Sequence, residues 1–329
     1  MKNAILATCA TVVFALLLPH DATAWELPLL TDRQGTFEFF SRTDYANENC
    51  GFSKAEMEAN LKEIRTLVDT MRKNPVLADL KGYDSHVRIY NTRCDDMGGH
   101  GIPSLVSFGF CSWYQGKGGT PTRITIEPPD WKIVVNRQKP GAWPFNTAAF
   151  EGDSNWFKAP AKKETLGPGI DRYDGEIYVI YNPDRPAYWL PVTVREAADK
   201  LRAYGKAQPD KFSAEFMLKM IDEGYAAFPE SDRDKLAYYG GEAAGGRNVM
   251  GVTSDSSGLP IMRVNPEYWD RNLPRSAIQF LYFRITDTNY SRKKMEEALK
   301  GNSTSYNLYR FEASLDINIA RSLALLVQK

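Results

Sequence analysis

The residues with the clearest potential for chemistry are a histidine and the acids that precede it. His100 lies in a glycine-rich turn that also contains Asp95 and Asp96. Neighbouring carboxylates can orient an imidazole, so His100 is a candidate general base, with the two aspartates beside it. Asp153 is a further candidate, because glycoside hydrolysis needs only two carboxyl groups at a fixed separation. The structural alternative for 95–101 is an ordinary surface turn.

A short run of alternating polar and apolar residues offers a candidate binding face. It predicts a strand whose polar side carries His86, Arg88 and Tyr90. Such a cationic and aromatic face can hold an acidic or sugar-like ligand, and the alternative is the solvated side of a sheet buried on one face only. Trp143 and Trp156 join the candidate ligand-binding residues, since aromatic rings present large flat surfaces on which sugars stack.

The first residues have the order of a secretory signal peptide. Lys2 precedes the apolar run 4–18, and the small residues Ala22 and Ala24 frame a cleavage site. The apolar run is shorter than the roughly 20 residues that a bilayer-spanning helix needs. We therefore predict a signal peptide over 1–24, export to the periplasm or the exterior, and no membrane span in the mature chain.

An exported chain meets oxidising conditions, so two cysteines that can approach each other are expected to form a disulfide. Beyond the signal peptide, the cysteines are Cys50, Cys94 and Cys111. We predict a Cys94–Cys111 bond that closes a short loop, with Cys50–Cys94 as the alternative. A catalytic cysteine paired with one of the histidines is the functional alternative, although no thiol-enzyme signature surrounds any of the three. The spacing lacks the paired ligands of a structural zinc site, so neither a metal nor another cofactor is predicted.

The elements that must position these residues begin with a helix. Ser53 and Glu56 have the spacing of a capping box, and the apolar residues behind them recur every three or four positions, which predicts a helix over 54–73. Short runs rich in β-branched and aromatic residues then predict strands at 86–92, 105–114, 123–127, 131–136 and 175–181. The simplest arrangement is an antiparallel meander with the helix packed on one face.

The second half is richer in helical patterns. Thr193 and Glu196 form another capping-box pattern, and Phe212 to Phe228 carry an apolar stripe that we interpret as core. Shorter strands are expected at 262–264 and 277–285. Apolar residues at helical spacing from Leu308 to Leu326 predict one long C-terminal helix.

Residues 137–170 contain several prolines and glycines and no sustained period. Their tryptophans and phenylalanines are too apolar for a solvated linker, so we predict a long, ordered aromatic loop that forms a binding rim or covers a small core. The predicted fold is α+β, and residues 25–329 form one composite domain. Two lobes, 25–190 and 191–329, are the alternative.

Composition restricts the function further. The 329 residues carry equal numbers of basic and acidic side chains. A balanced charge disfavours nucleic acid as a partner, while a neutral ligand remains compatible with it. The chain has neither a G-x-S-x-G elbow nor an H-E-x-x-H motif. We therefore expect a binding or structural protein of the cell envelope or exterior that recognises a glycan-like or other small neutral ligand. The alternative is a secreted hydrolase that uses carboxylates or His100.

Overall fold

Two β-sheets and the helices packed against them make up the fold, in a computed structural model that describes residues 28–41, 51–91, 99–123, 130–138, 148–150, 153–241, 247–300 and 305–327. The predicted α+β class is confirmed. The strands of the first half are β1 (Phe37–Ser41), β2 (Tyr83–Asn91), β3 (Ser104–Gln115), β4 (Pro121–Arg123), β5 (Trp131–Val135), β6 (Ala148–Phe150), β7 (Asp153–Lys158), β8 (Lys162–Gly167), β9 (Ile170–Tyr173) and β10 (Ile177–Tyr181).

Helices dominate the second half of the chain, with short strands between them. These strands are β11 (Trp189–Pro191), β12 (Tyr238–Tyr239), β13 (Val252–Thr253), β14 (Leu259–Val264) and β15 (Phe280–Arg284). The α-helices of the described residues are α1 (Lys54–Met71), α2 (Pro75–Ala78), α3 (Val194–Lys206), α4 (Lys211–Ala226), α5 (Glu230–Arg233), α6 (Thr288–Leu299), α7 (Tyr306–Ser314) and α8 (Ile317–Val327).

Both predicted capping boxes are present and start their helices. At α1, the Ser53 N–H donates to Glu56 Oε2 over 2.6 Å, and the Glu56 N–H donates to Ser53 Oγ over 3.2 Å. At α3, Thr193 and Glu196 make the same two bonds, at 2.8 and 3.2 Å. Each pair satisfies backbone donors that a helix N-terminus would otherwise leave open.

The larger sheet has the strand order β1-β2-β3-β5-β15-β10-β9-β8, with β4 attached to β3. All its neighbours are antiparallel except β1 and β2, which run parallel. Because β15 lies between β5 and β10, the sheet combines strands from both sides of residue 190. One of its faces packs against α1, α7 and α8 in a core that contains Val87, Phe108 and Phe311.

Among the described residues, the smaller sheet covers one end of the opposite face of the larger sheet. The smaller sheet has the order β13-β12-β14-β7-β6, with β11 paired to β14. Phe157 and Trp189 from this sheet pack against Tyr282 and Val179 of the larger one. The strands β1, β2 and β3 lie at the other end of the sheet, where Leu105 of β3 is partly buried against the same cluster.

The prediction of one loop over 137–170 is wrong where the structure describes this segment. It contains β6, β7 and β8. β7 pairs with β14, about a hundred residues later, and β8 is a largely exposed edge strand of the larger sheet. The segment therefore shows no simple apolar period. The pairing of β7 depends on a partner that is distant in the sequence, and most side chains of β8 are exposed to solvent.

Two helix predictions also need correction. The expected single C-terminal helix is interrupted at Leu315 and Asp316, where Asp316 Oδ1 accepts the N–H of Asn318 over 2.8 Å and starts α8. Both helices bury their apolar stripes in the same core, so the spacing continues across the break. On α4, Ile221 is buried as expected, but Phe212 and Phe216 are exposed rather than part of the core.

Across the described ranges, no helix is both long and apolar enough to span a bilayer.

Candidate functional site

The candidate site lies on the face of β1, β2 and β3 that points away from the helices, and we call this the outer face. Strand alternation creates it, because Val87 and Ile89 enter the core and the intervening side chains of β2 point the other way. On β2 these are His86, Arg88 and Tyr90, as the sequence predicted.

The neighbouring strands complete the outer face through their register. Parallel pairing aligns Glu38 of β1 with His86 and Phe40 with Arg88. Antiparallel pairing aligns Gly109 of β3 with His86. The outer face therefore combines an imidazole, a guanidinium, a carboxylate and two aromatic rings within three adjacent strands.

His86 is the buried centre of this face, with 6 % of its surface exposed. The Phe40 ring contacts it edge-on, with 6.1 Å between the ring centroids. Its Nδ1 lies 3.9 Å from Cys111 Sγ, and its Nε2 has no hydrogen-bond partner among the described residues. Burial lowers the pKa of His86, and the nearby positive charge of Arg88 lowers it further. The imidazole is therefore neutral near pH 7.

Arg88 is the cation that lies next to the exposed aromatic rings of the outer face. It is half-buried, and within the described part of the chain its guanidinium makes neither an ion pair nor a hydrogen bond. Phe40, opposite Arg88 on β1, and Tyr90, two residues further along β2, are 46 % and 41 % exposed. Two large exposed rings therefore lie next to a guanidinium that has no partner among the described residues.

The β4 end of the same face contains an ion pair with a buried carboxylate and has a structural character. Arg123 Nη1 lies 2.8 Å from Asp84 Oδ2, and Asp84 Oδ1 accepts the backbone N–H of Thr36 over 2.8 Å. Burial alone would raise the pKa of Asp84, but these hydrogen bonds lower it overall. Arg33 stacks on Trp113 at 3.9 Å and lines a shallow cavity of about 290 Å³ beside β4. These contacts hold β1 and β4 against β2 and β3.

The other sequence candidates do not converge on the outer face. His100 is half-buried, and its Nε2 lies 2.8 Å from the backbone oxygen of Leu273. Trp156 lies on β7 in the smaller sheet, where it packs against the core beneath α3 and Lys200 Nζ lies 5.8 Å from its ring. Asp153 begins β7, but its side chain is outside the described structure. Asp95, Asp96 and Trp143 are also outside the described residues.

The predicted Cys94–Cys111 disulfide stays a prediction, because Cys94 lies outside the described residues, as does Cys50. Cys111 is 5 % exposed and belongs to the outer-face side of β3, opposite Asp84.

Sequence reasoning missed the contribution of β1. Glu38 and Phe40 join the site only because β1 pairs with a strand that begins more than forty residues later. The sole local signal is the F-E-F-F run at 37–40, in which Phe37 and Phe39 pack against the core. That alternation is enough to suggest a strand, but it does not indicate which strand lies next to it.

The neutral state of His86 predicts a pH-dependent stability. Since its pKa is lower in the folded protein, the unfolded chain takes up a proton first as the pH falls below about 6.5. The stabilisation is therefore complete above that pH and is lost as the pH falls towards the folded-state value. Replacing His86 by Gln or by Phe should flatten the decline of the melting temperature between pH 7.5 and 5, measured by circular dichroism. A decline as steep as that of the wild type in both variants would contradict a buried, neutral His86.

Comparison of the chain with protein-family models, curated proteins and solved structures gives no match.

Proposed function

We propose that the protein is an exported binding protein that recognises a neutral, saccharide-like ligand on the outer face. The observation that carries the proposal is the placement of two exposed aromatic side chains, Phe40 and Tyr90, next to the guanidinium of Arg88, which has no partner among the described residues. The export part of the proposal rests on the signal-peptide pattern of residues 1–24, which lie outside the described residues.

The chemistry of the outer face suits a molecule with both apolar faces and hydroxyl groups. Aromatic rings bury the C–H faces of a sugar at low cost in side-chain entropy. The five N–H groups of Arg88 donate hydrogen bonds, and the exposed carboxylate of Glu38 accepts them, so both partners that a hydroxyl group needs are present.

The local charge balance favours a neutral ligand. Lys132 adds a second positive charge on β5, and Asp130, whose Oδ2 accepts the Ser107 hydroxyl over 2.7 Å, adds a second negative one. With Arg88 and Glu38, these four charges cancel, as do those of the paired Arg123 and Asp84 and of Arg33 and Asp32, which line the same cavity at the β4 end. A strongly charged ligand would therefore gain little long-range attraction from it.

The hydrolase alternative stays a prediction. Glu38 and Asp130 are the carboxylates of the outer face that form no ion pair among the described residues. Their backbone positions are three inter-strand spacings, about 14 Å, apart. Glycosidases place their two carboxyl groups about 5–9.5 Å apart, a spacing that these backbone positions do not favour.

A glycan array probed with the mature chain tests the proposal. We expect binding to a subset of neutral glycans, and a loss of about tenfold or more in affinity after Arg88→Ala or Tyr90→Ala, because each removes a direct contact. Tyr290→Ala is the matched control, since Tyr290 is a comparably exposed tyrosine, 49 % accessible, on α6. An array without any signal, or equal losses in the control and in Tyr90→Ala, would contradict the proposal.

A further inference from the structure

The most exposed apolar surface of the described chain lies on α4, far along the sequence from the outer face. Phe212, Phe216 and Met220 are 76 %, 58 % and 47 % exposed and stand four residues apart, so they form one continuous row on the helix. We call this the α4 stripe. Ile221, on the opposite side of the helix, is buried against α3 and its neighbours. The helix is therefore apolar on two sides, and among the described residues only the Ile221 side is buried.

A row of charged residues runs beside the α4 stripe with the same spacing. It consists of Lys211, Glu215, Lys219 and Glu223 and alternates in sign. Within the helix, Lys211 Nζ lies 3.7 Å from Glu215, and Lys219 Nζ lies 3.8 Å from Glu223. All four side chains are well exposed, so they remain available to a second surface.

This pattern is complementary to itself when the helix is reversed. If two copies of α4 pack antiparallel around an axis near Phe216, Phe212 of each copy meets Met220 of the other. The same rotation places Lys211 opposite Glu223 and Glu215 opposite Lys219. A two-fold axis requires this kind of self-complementary patch, since both copies present the same residues.

We propose that the α4 stripe is the centre of a two-fold symmetric homodimer interface. A second copy of the chain fits better than an anionic membrane surface, because a membrane-binding helix carries an excess of Lys and Arg on its polar face. Here the row holds two lysines and two glutamates, so it has no excess of positive charge.

Sedimentation velocity of the full mature chain over a range of concentrations tests this proposal. We expect a monomer–dimer equilibrium whose dissociation constant rises about tenfold or more in Phe216→Glu. Leu325→Glu is the control, because Leu325 is 67 % exposed on α8 and outside the stripe, and it should dimerise like the wild type. Circular dichroism checks that both variants are folded.

A charge-reversal pair makes the test specific for the antiparallel arrangement. The variant Lys211→Glu/Lys219→Glu has four glutamates in the row, and Glu215→Lys/Glu223→Lys has four lysines. Each alone should dimerise less than the wild type, and a mixture of the two should form a heterodimer. A wild-type protein that is monomeric at every concentration would overturn the proposal. Binding of the monomer to vesicles of phosphatidylcholine and phosphatidylglycerol, without a dimer in solution, would also overturn it. A mixture that fails to associate would overturn the antiparallel arrangement.

Discussion

Replacing Phe311 by alanine is expected to lower the free energy of unfolding by about 3–5 kcal/mol, the range observed when a buried phenylalanine is truncated. Phe311 lies on α7 and is fully buried. Its ring centroid is 5.3 Å from that of Trp131, 5.4 Å from that of Phe110 and 6.1 Å from that of Phe108. The substitution leaves a cavity between α7 and the larger sheet that the surrounding rings cannot fill by small movements.

Chemical denaturation followed by tryptophan fluorescence measures this loss. Leu325→Ala removes a comparable apolar side chain from an exposed position on α8 and should change stability by less than about 0.5 kcal/mol. A loss below about 1 kcal/mol for Phe311→Ala would mean that α7 does not stabilise β3 and β5 from the side opposite to the outer face.

The second large effect is expected at Gly109, on the outer face itself. A Cβ atom at this position would lie 2.3 Å from His86 Nε2 and 2.5 Å from its Cε1. The imidazole cannot move freely, because Phe40 packs against one edge and Cys111 lies next to Nδ1. Gly109→Ala should therefore destabilise the protein by about 1–3 kcal/mol, as overpacking does in other cores.

A double-mutant cycle separates this contact from a general effect on β3. In a His86→Ala background the ring is absent, and Gly109→Ala should be neutral or stabilise by about 0.5–1 kcal/mol, because alanine loses less backbone entropy than glycine in a strand. Equal destabilisation in both backgrounds, measured by urea unfolding, would show that the His86 ring does not lie over Gly109.

The sequence was sufficient for features that depend on near neighbours. The capping boxes at Ser53 and Thr193 join residues three positions apart, and both were predicted correctly. The alternation in β2 also placed Arg88 and Tyr90 on one face, because strand geometry alone determines that a residue and its second neighbour share a side.

Features that depend on distant partners were not predictable in this way. The role of Phe40 requires the parallel pairing of β1 with β2, and the strands within 137–170 require partners elsewhere in the chain. The exposure of Phe216 shows a further limit of hydrophobic periodicity. An apolar residue at helical spacing gives the same sequence pattern whether it faces the core of its own chain or another molecule. Helix α6 was missed because its apolar residues form only a weak stripe.

If Arg88 contacts the ligand, bound ligand protects its side chain from chemical modification, and this protection is the most direct test. Phenylglyoxal modifies accessible arginine side chains, and mass spectrometry of the peptides reports each site separately. With a saccharide that binds the protein, modification of Arg88 should fall about in proportion to the occupancy of the site. Arg321 is the control, because it lies on the exposed side of α8, where its Nη1 donates to Asn318, and it should react as in the free protein. If a saturating amount of that saccharide leaves Arg88 as reactive as in the free protein, the ligand binds elsewhere and the outer face is not the binding site.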